Sequence, residues 1–444
     1  MKIKNSIIRG FFLIIPLLFY SCASTSVKES DQKETITLLF AGDIMAHRPN
    51  YNMKDYSQIW KDIKPYVSEC DFSFANIEAP VCDELPFSPY PNFNMQSSYP
   101  EAAIGAGFIV FSVINNHTND QGLEGINATR LWGEKIEDKT KHSERPVYVT
   151  GINEKPKMPV SYRIIQKGDW KILFVAVTEI LNRPDYRNYL NYIVASRTNW
   201  EEFSDYLTQL RNEHPCDLMV LSIHSDEPEY FLPASSKRIK YYHELTEKCV
   251  DVVWTNHPHI PREREIIGNR NNNQLEKVII YGNGNLISGQ RWEPDFENPS
   301  NPRDDTGDGY LMKVTFCKTK KNPKPYIEST ETRFITTYIN TTWEFVIKYL
   351  DDNFITYLVE SGRKNWADYI RARKSITEKN PEFKEIHRYY TGRKTNALKK
   401  KQSLMVLSNK LIRVFYAILK SGADYDPEKL LRDIRRPEEQ PTAA

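Results

Sequence analysis

The sequence lacks a hydrophobic run that could cross a lipid bilayer, and it lacks an excess of charge of one sign. Its longest apolar stretch, from Phe11 to Tyr20, spans ten residues, whereas a transmembrane helix needs roughly 20. The 60 basic residues are nearly balanced by 58 acidic ones, which leaves a formal net charge of +2. Proteins that bind nucleic acids usually carry a clear basic excess, so this balance predicts no nucleic-acid partner.

Cysteine is also scarce. Besides Cys22 the chain has five cysteines, which are widely spaced and include no C-x-x-C pair. An odd and scattered set predicts neither a structural zinc site nor a disulfide framework. A bridge between Cys70 and Cys82 is conceivable in an exported protein, and unpaired buried thiols are the alternative.

Residues 1–21 have the features of a lipoprotein signal peptide. Basic residues, among them Lys2 and Arg9, precede the short apolar run, as in a secretion signal. The run ends in Leu18-Phe19-Tyr20-Ser21-Cys22, which resembles a bacterial lipobox. The resemblance implies cleavage before Cys22 and lipidation at that residue. The alternative is an ordinary cleaved signal peptide in which Cys22 has no special role.

A lipid on Cys22 would hold the protein at a membrane outside the cytoplasm. Each buried CH₂ of an acyl chain contributes about 0.8 kcal/mol, so a multiply acylated cysteine is a stable anchor. Residues 22–34 are polar and predict a flexible tether between lipid and fold. In many Gram-negative bacteria an Asp directly after the lipidated cysteine favours retention in the inner membrane. This position is Ala23 here, which favours the outer membrane or its periplasmic face.

Short apolar runs rich in β-branched and aromatic residues recur along the chain, and runs that end at polar or glycine residues are typical of buried strands. Helix-like stretches lie between several of them, at Tyr56–Val67, Gly122–Ile136 and Trp200–Asn212. This alternation predicts an α/β domain, which we place at residues 35–335. The predicted strands are Ile36–Phe40, Phe72–Ile77, Phe108–Ile114, Ile172–Val177, Leu218–Ile223, Val250–Trp254, Val278–Tyr281, Tyr310–Phe316 and Tyr326–Ile335.

The last hundred or so residues differ in character, and we expect a helical C-terminal region at 336–435 and a disordered tail at 436–444. Trp343–Glu360 and Leu404–Leu419 have apolar residues at intervals of three and four, the pattern of amphipathic helices. Basic residues between them, including Lys399-Lys400-Lys401, could contact anionic lipid, although a solvated surface is the more common explanation.

Residues able to bind a metal follow five of the predicted strands directly. Ligands collect at the carboxyl ends of strands in α/β sheets, so these side chains are expected to converge in one cleft. They offer carboxylate, amide and imidazole groups without thiolates, a mixture that suits one or two Zn, Mn or Fe ions. The candidate ligands are Asp43, Glu78, Asn116, His224, His257 and His259.

Each of these residues also has an ordinary structural explanation. A Gly-Asp pair after a strand, as at Asp43, is often only a turn. Glu78 could lie on the surface, and His224 could be a core histidine with satisfied hydrogen bonds. The motif His257-Pro258-His259 is more specific, because two imidazoles one residue apart can reach one pair of metals. The order and the repeated placement of the whole set favour the metal-binding interpretation.

The motifs occur in the order Gly42-Asp43, Asn76-Ile77-Glu78, Asn115-Asn116-His117, His224, His257-Pro258-His259 and Tyr281-Gly282-Asn283-Gly284-Asn285. This ordered set resembles the bacterial capsule-synthesis CapA family, which is associated with poly-γ-glutamate capsules. The resemblance covers residues 36 to 316 approximately. The family is similar in turn to the calcineurin-like metallophosphoesterases, which implies a four-layer α/β/β/α sandwich, here with a C-terminal helical extension.

The resemblance implies a role for each matching residue. Asp43 would bind the first metal, and Glu78 would occupy the position of the carboxylate that bridges two metals. Asn116 would bind the second metal through its amide oxygen. His117 would be the catalytic residue that orients or protonates the leaving group, as a general acid near neutral pH can do. The remaining metal ligands would be His224, His257 and His259.

The sequence departs from the metallophosphoesterase pattern at several positions. The residue two places after the first Asp is usually His and is Met45 here, while His47 lies two residues further on. Ser225-Asp226-Glu227 replaces a Trp-Gly pair and an acidic residue, and Asn256 stands where Gly often precedes His-Pro-His. A missing ligand weakens one metal site and could leave a mononuclear centre.

These patterns leave three functions open. The first is an anchored, metal-dependent hydrolase or transfer factor that acts on an anionic polymer, such as poly-γ-glutamate, or on a phosphoester. The second is a non-catalytic assembly or binding component of the capsule or envelope machinery. The third is binding to a membrane surface through the basic C-terminal region.

Overall fold

The computed structural model describes residues 33–230, 234–268 and 274–378. The signal peptide with Cys22, most of the tether, the predicted helix Leu404–Leu419 and the predicted tail lie outside these residues. Among the helices within them, none is long and apolar enough to cross a membrane.

Strands and helices largely alternate up to Asn256, after which the chain forms further strands and two final helices. The strands are β1 Lys33–Ile44, β2 Phe72–Ile77, β3 Val110–Ser112, β4 Tyr148–Thr150, β5 Tyr162–Lys167, β6 Trp170–Thr178, β7 Leu218–His224, β8 Val252–Asn256, β9 Arg264–Gly268, β10 Leu275–Ile280, β11 Asn285–Ile287, β12 Asp308–Thr319, β13 Tyr326–Ile339 and β14 Phe345–Tyr349. The helices are α1 Arg48–Tyr51, α2 Ser57–Trp60, α3 Lys64–Ser68, α4 Ser98–Gly105, α5 Gly122–Thr140, α6 Arg197–Glu213, α7 Ser236–Lys248, α8 Asp352–Glu360 and α9 Lys364–Glu378.

The strands form two sheets. The first has the order β14-β13-β12-β1-β2-β3-β4, with β11 paired to the end of β1, and the second has the order β5-β6-β7-β8-β10-β9. Strands β1 to β4 are parallel, and so are β6, β7, β8 and β10. In each sheet the carboxyl ends of several adjacent strands therefore lie at one edge. The candidate ligands come directly after these strand ends in the sequence.

The two sheets stack face to face with helices outside them. Successive side chains of β6 alternate between a core shared with the first sheet and a core under α6 and α7, as the period of two of a strand requires. The predicted four-layer α/β/β/α sandwich is thereby confirmed. Toward the first sheet point Ile172, Phe174 and Ala176, and toward the helices point Leu173, Val175 and Val177.

Aromatic side chains join the two sheets just below the candidate site. Phe40 and Phe74 stack with ring centroids 4.8 Å apart, and the ring of Trp254 from the second sheet lies 6.0 Å from each. The indole nitrogen of Trp254 donates to the backbone oxygen of Ala41 at 2.9 Å and to Asn283 Oδ1 at 3.0 Å. These bonds satisfy a buried polar atom and fix the level of one sheet against the other.

The structure contains strands in each predicted strand segment, but the prediction of a helix over Trp343–Glu360 is wrong in its first half. Residues Phe345–Tyr349 form β14, which pairs with the end of β13. The run of aromatic and β-branched residues fits a strand as well as a helix, and pairing with an open sheet edge decides the outcome. The helix begins only after Asp351, whose side chain accepts a hydrogen bond from the backbone N–H of Phe354. The five cysteines of the described residues, including Cys70 and Cys82, are unbridged thiols.

The last helix is attached to the sheet by a buried ionic cluster. Asp308 is fully buried; Arg373 of α9 and Arg291 donate to its two oxygens at 2.8 Å each. Burial would raise the pKa of Asp308, but the two guanidinium groups lower it below its ordinary value. Strands β13 and β14 and this helix continue the fold beyond residue 335, the predicted end of the α/β domain.

We predict that Arg373→Met destabilises the protein by about 3 kcal/mol or more, because it leaves a buried carboxylate without one of its partners. Arg371→Met on the same helix is the matched control, since Arg371 is exposed and its ion pair with Asp368 lies on a solvated surface. Urea unfolding of both variants measures the difference. Equal midpoints for the two variants would contradict the structural role of the cluster.

Candidate metal centre

The candidate ligands converge at the edge where both sheets present their strand ends. Asp43 lies at the end of β1, and Glu78 follows the last residue of β2. His224 is the last residue of β7 in the second sheet, and His257 and His259 follow β8 directly. All five side chains are buried, with at most 2% of any residue exposed. Strand direction and sheet stacking thus bring together residues that are far apart in the sequence.

Glu78 is shared between two groups of potential metal ligands. One group is Asp43, Glu78 and His259, and the other is Glu78, His224 and His257, with the donor atoms of each group within 4.8 Å of one another. A carboxylate common to two ligand sets is the arrangement expected of a bridging ligand in a two-metal site. The geometry therefore fits the role that the family resemblance implies for Glu78.

Asn116 adds an oxygen donor to the second group. Nε2 of His224 lies 2.8 Å from Asn116 Oδ1, 3.1 Å from His257 Nδ1 and 3.5 Å from Glu78 Oε1. Four donor atoms thus lie close together, as a four-coordinate transition metal requires. The first group offers three protein donors, so the two sites are unequal.

The electrostatics of the cluster call for a cation. Both carboxylate oxygens of Glu78 are buried without a hydrogen-bond partner. Burial, and next the neighbouring Asp43, raise the pKa of Glu78 well above its ordinary value. Burial, and next the other histidines, lower the pKa values of His224 and His257 well below their ordinary values, which favours the neutral imidazoles. Neutral imidazoles bind metals directly, and a cation bound beside Glu78 would favour its ionised form.

Neighbouring amides orient two of the ligands. Asn76 donates from Nδ2 to Asp43 Oδ1 at 2.8 Å. The Nδ2 of Asn285 lies within hydrogen-bond distance of Ser288 Oγ, Gln290 Oε1 and a backbone oxygen, so its Oδ1 faces His259 Nδ1 at 3.0 Å. His259 then carries its proton on Nδ1 and leaves Nε2 free to bind a metal.

His117 is held beside the cluster by a carboxylate. Its Nδ1 lies 2.7 Å from Asp120 Oδ2, which also accepts a hydrogen bond from the backbone N–H of Phe93 at 2.8 Å. The Phe93 ring packs edge-on against the imidazole with centroids 4.7 Å apart. Asp120 favours a proton on Nδ1, so Nε2 is the nitrogen that can exchange a proton with a substrate.

The departures from the metallophosphoesterase pattern have structural explanations. Met45 is buried in the hydrophobic core and donates no ligand. His47 precedes α1, accepts a hydrogen bond on Nδ1 from the Gly289 N–H at 3.3 Å, and belongs to neither ligand group of the described residues. Burial, then the neighbouring His259 and His117, lower its pKa to about 3. Glu227 lies outside both groups and pairs with arginines.

Sequence reasoning missed the residues that orient the ligands. Asn285 ends the motif Tyr281-Gly282-Asn283-Gly284-Asn285, but the sequence pattern assigns it no role. Asp120, three residues after His117, could have been found from the i, i+3 spacing of a carboxylate and an imidazole in a tight turn. Asn76 gave no separate signal, because its contact with Asp43 joins adjacent strands.

Comparison with known proteins supports the family resemblance seen in the sequence. Residues 37–290 match the family described as bacterial capsule synthesis protein PGA_cap. The chain is 21% identical over 318 residues to the capsule biosynthesis protein CapA of Bacillus anthracis, a match that covers 66% of this chain and 71% of that protein.

Solved structures resemble it as well. A phosphatase from Mycoplasma pneumoniae has a TM-score of 0.40 and 13% identity, covering 69% of this chain and 95% of the other. A hypothetical protein from Thermus thermophilus has a TM-score of 0.38 and 14% identity, covering 67% of this chain and 98% of the other.

We predict that Asp43→Asn removes one bound Mn²⁺ or Zn²⁺, whereas Glu78→Gln weakens both sites about tenfold or more, since it alters the shared ligand. His142→Ala is the control, because His142 is exposed and belongs to neither ligand group. Isothermal titration of the metal-free protein, with elemental analysis, measures stoichiometry and affinity. A wild-type protein that binds no transition metal would contradict the site.

Proposed function

The chain belongs to the bacterial capsule synthesis family PGA_cap, and from this premise we propose that it is a lipid-anchored extracytoplasmic factor that performs metal-dependent hydrolysis or transfer on an anionic envelope polymer or a phosphoester. The observation that carries the proposal is the unpartnered Glu78 carboxylate shared by two ligand groups beside His117. A polymer such as poly-γ-glutamate fits the family's association with capsules.

The two ligand groups would each hold one metal ion. Asp43, Glu78 and His259 would hold one metal, while Asn116, His224 and His257 would hold the other together with Glu78. Divalent metal bound there supplies Lewis-acid stabilisation of negative charge on a substrate oxygen.

His117 would provide the proton that the leaving group needs. Asp120 keeps the Nδ1 proton of His117 in place, so Nε2 can transfer its proton to the leaving group as the bond breaks, to oxygen in a phosphoester and to nitrogen in a γ-glutamyl amide. The Phe93 ring packs edge-on against the imidazole and helps to hold it in this orientation. This arrangement is the basis for assigning the general acid to His117 rather than to one of the metal-binding histidines.

We predict that His117→Ala lowers kcat about 10²- to 10⁴-fold without reducing metal content, since general acid catalysis contributes a factor of that size. The full-length protein loaded with Mn²⁺ or Zn²⁺ is assayed on a phosphodiester and, in parallel, on γ-glutamyl substrates. His142→Ala is again the control. Turnover that is the same in His117→Ala and wild type would overturn the assignment.

A non-catalytic role in capsule or envelope assembly is the second candidate. It is favoured by Met45, which is buried in the core where a metal ligand is usual, and by the three-donor first site that results. Stoichiometric metal binding without turnover on either substrate class would support this alternative. Robust metal-dependent turnover that disappears in His117→Ala would exclude it.

We predict that Cys22→Ala moves the protein from the membrane fraction to the soluble extracytoplasmic fraction, because multiple acyl chains supply the membrane affinity. Cell fractionation and labelling with a palmitate analogue measure the change, with Cys216→Ala as the control. Undiminished membrane association of Cys22→Ala would contradict the anchor. If deletion of residues 379–444 alone releases the protein, the basic C-terminal region is the membrane-binding element instead.

A further inference from the structure

A loop of the second sheet reaches across the cleft to the metal-binding loop of the first. This bridging loop, residues 179–186, follows β6. Its backbone N–H at Glu179 donates to the His224 carbonyl at 2.9 Å, and that at Asn182 donates to the Asn116 carbonyl at 3.0 Å. The bridging loop is thus tied to the end of β7 and to the segment after β3, which carry the candidate ligands His224 and Asn116.

Side chains strengthen this connection from both directions. Asn119 donates from Nδ2 to the backbone oxygens of Arg183 and Asp185, both at 2.8 Å. Arg183 donates back to the Asp120 carbonyl at 3.1 Å. The bridging loop is therefore held in place although its side chains are largely exposed.

Within this loop the side chain of Asn182 contacts two residues of the site at once. Its Oδ1 accepts a hydrogen bond from Asn116 Nδ2 at 3.3 Å, and its Nδ2 lies 3.1 Å from His117 Nδ1. Asn116 Oδ1 then faces His224 Nε2 at 2.8 Å. The contact with Asn182 decides which end of the Asn116 amide points at the second ligand group.

That choice matters because an amide binds a metal only through its oxygen. The two orientations of an Asn side chain have nearly the same shape and are separated by their hydrogen bonds. An acceptor behind Nδ2 favours the orientation with Oδ1 toward the ligand group. Residues that orient a ligand in this way typically contribute a factor of about 10–100 in metal affinity.

We propose that Asn182 is a positioning residue that presents the Asn116 oxygen to the second metal. The inference rests on the proposed metal-dependent function and deepens it, since one of the two metal sites would then depend on the bridging loop for the orientation of a ligand. Asn182 acts through its hydrogen bond with Asn116, and it is not itself a ligand in either group.

The test uses Asp43→Asn protein, in which only the second site is expected to bind metal. In this background Asn182→Leu should weaken Mn²⁺ binding about 10- to 100-fold, because the side chain keeps its branching but loses the acceptor. Asn182→Asp keeps an acceptor oxygen and should restore affinity close to that of Asp43→Asn alone. Isothermal titration of the full-length proteins gives the affinities.

Asn188→Leu is the matched control, since Asn188 is exposed, lies six residues further along, and contacts Lys157 through its backbone oxygen. Thermal unfolding without metal should be the same for the Asn182 and Asn188 variants, which separates ligand positioning from a loss of stability. Unchanged affinity in Asn182→Leu, or equal losses in the Leu and Asp variants, would overturn this inference alone. A wild-type protein without metal binding would overturn it together with the proposed function, whereas metal binding without turnover would affect only the catalytic proposal.

Discussion

The site depends on a carboxylate that is sealed from water with no hydrogen bond to either oxygen. Glu78 is fully buried, and its nearest acidic neighbour is the equally buried Asp43. Burying an ionised group without a partner costs several kcal/mol. The groups that can offset this cost through a shared cation come from both sheets, so the strand ends of the two sheets must meet at the same level. The hydrogen bond from Trp254 to Ala41 of β1 helps to hold the two sheets at that level.

The positions of the candidate ligands could be predicted from sequence because each follows a visible apolar run. Where an apolar run gives way to Asp43 or His224, the sequence shows both where the strand ends and which side chain lies at that end. The orienting residues could not be predicted in this way. Asn182 contacts Asn116 across 66 positions of sequence, and its neighbours along the chain carry no pattern that indicates this contact. Only the stacking of two sheets makes them adjacent.

The C-terminal part shows a different limit of sequence reasoning. Periodicity predicted a helix over Trp343–Glu360, and α8 forms the second half of that segment, but the preceding residues complete the first sheet as β14. The family match ends at residue 290, yet β12 pairs with β1 along most of its length. The strand that carries Asp43 is therefore paired on one side with residues outside the matched region. The buried ionic cluster around Asp308 connects these residues to α9.

The direction of β1 has a consequence for how an anchored protein would meet its substrate. The strand spans 12 residues from Lys33 to Ile44, with Asp43 near its far end. At about 3.3 Å per residue, its two ends are roughly 35 Å apart. In the anchored protein that we propose, the chain enters from the lipid at one end of the sheet and the ligand cluster lies at the other. With the tether extended, such a protein would present this cluster to polymer in the surrounding envelope, on the side away from the membrane that holds it.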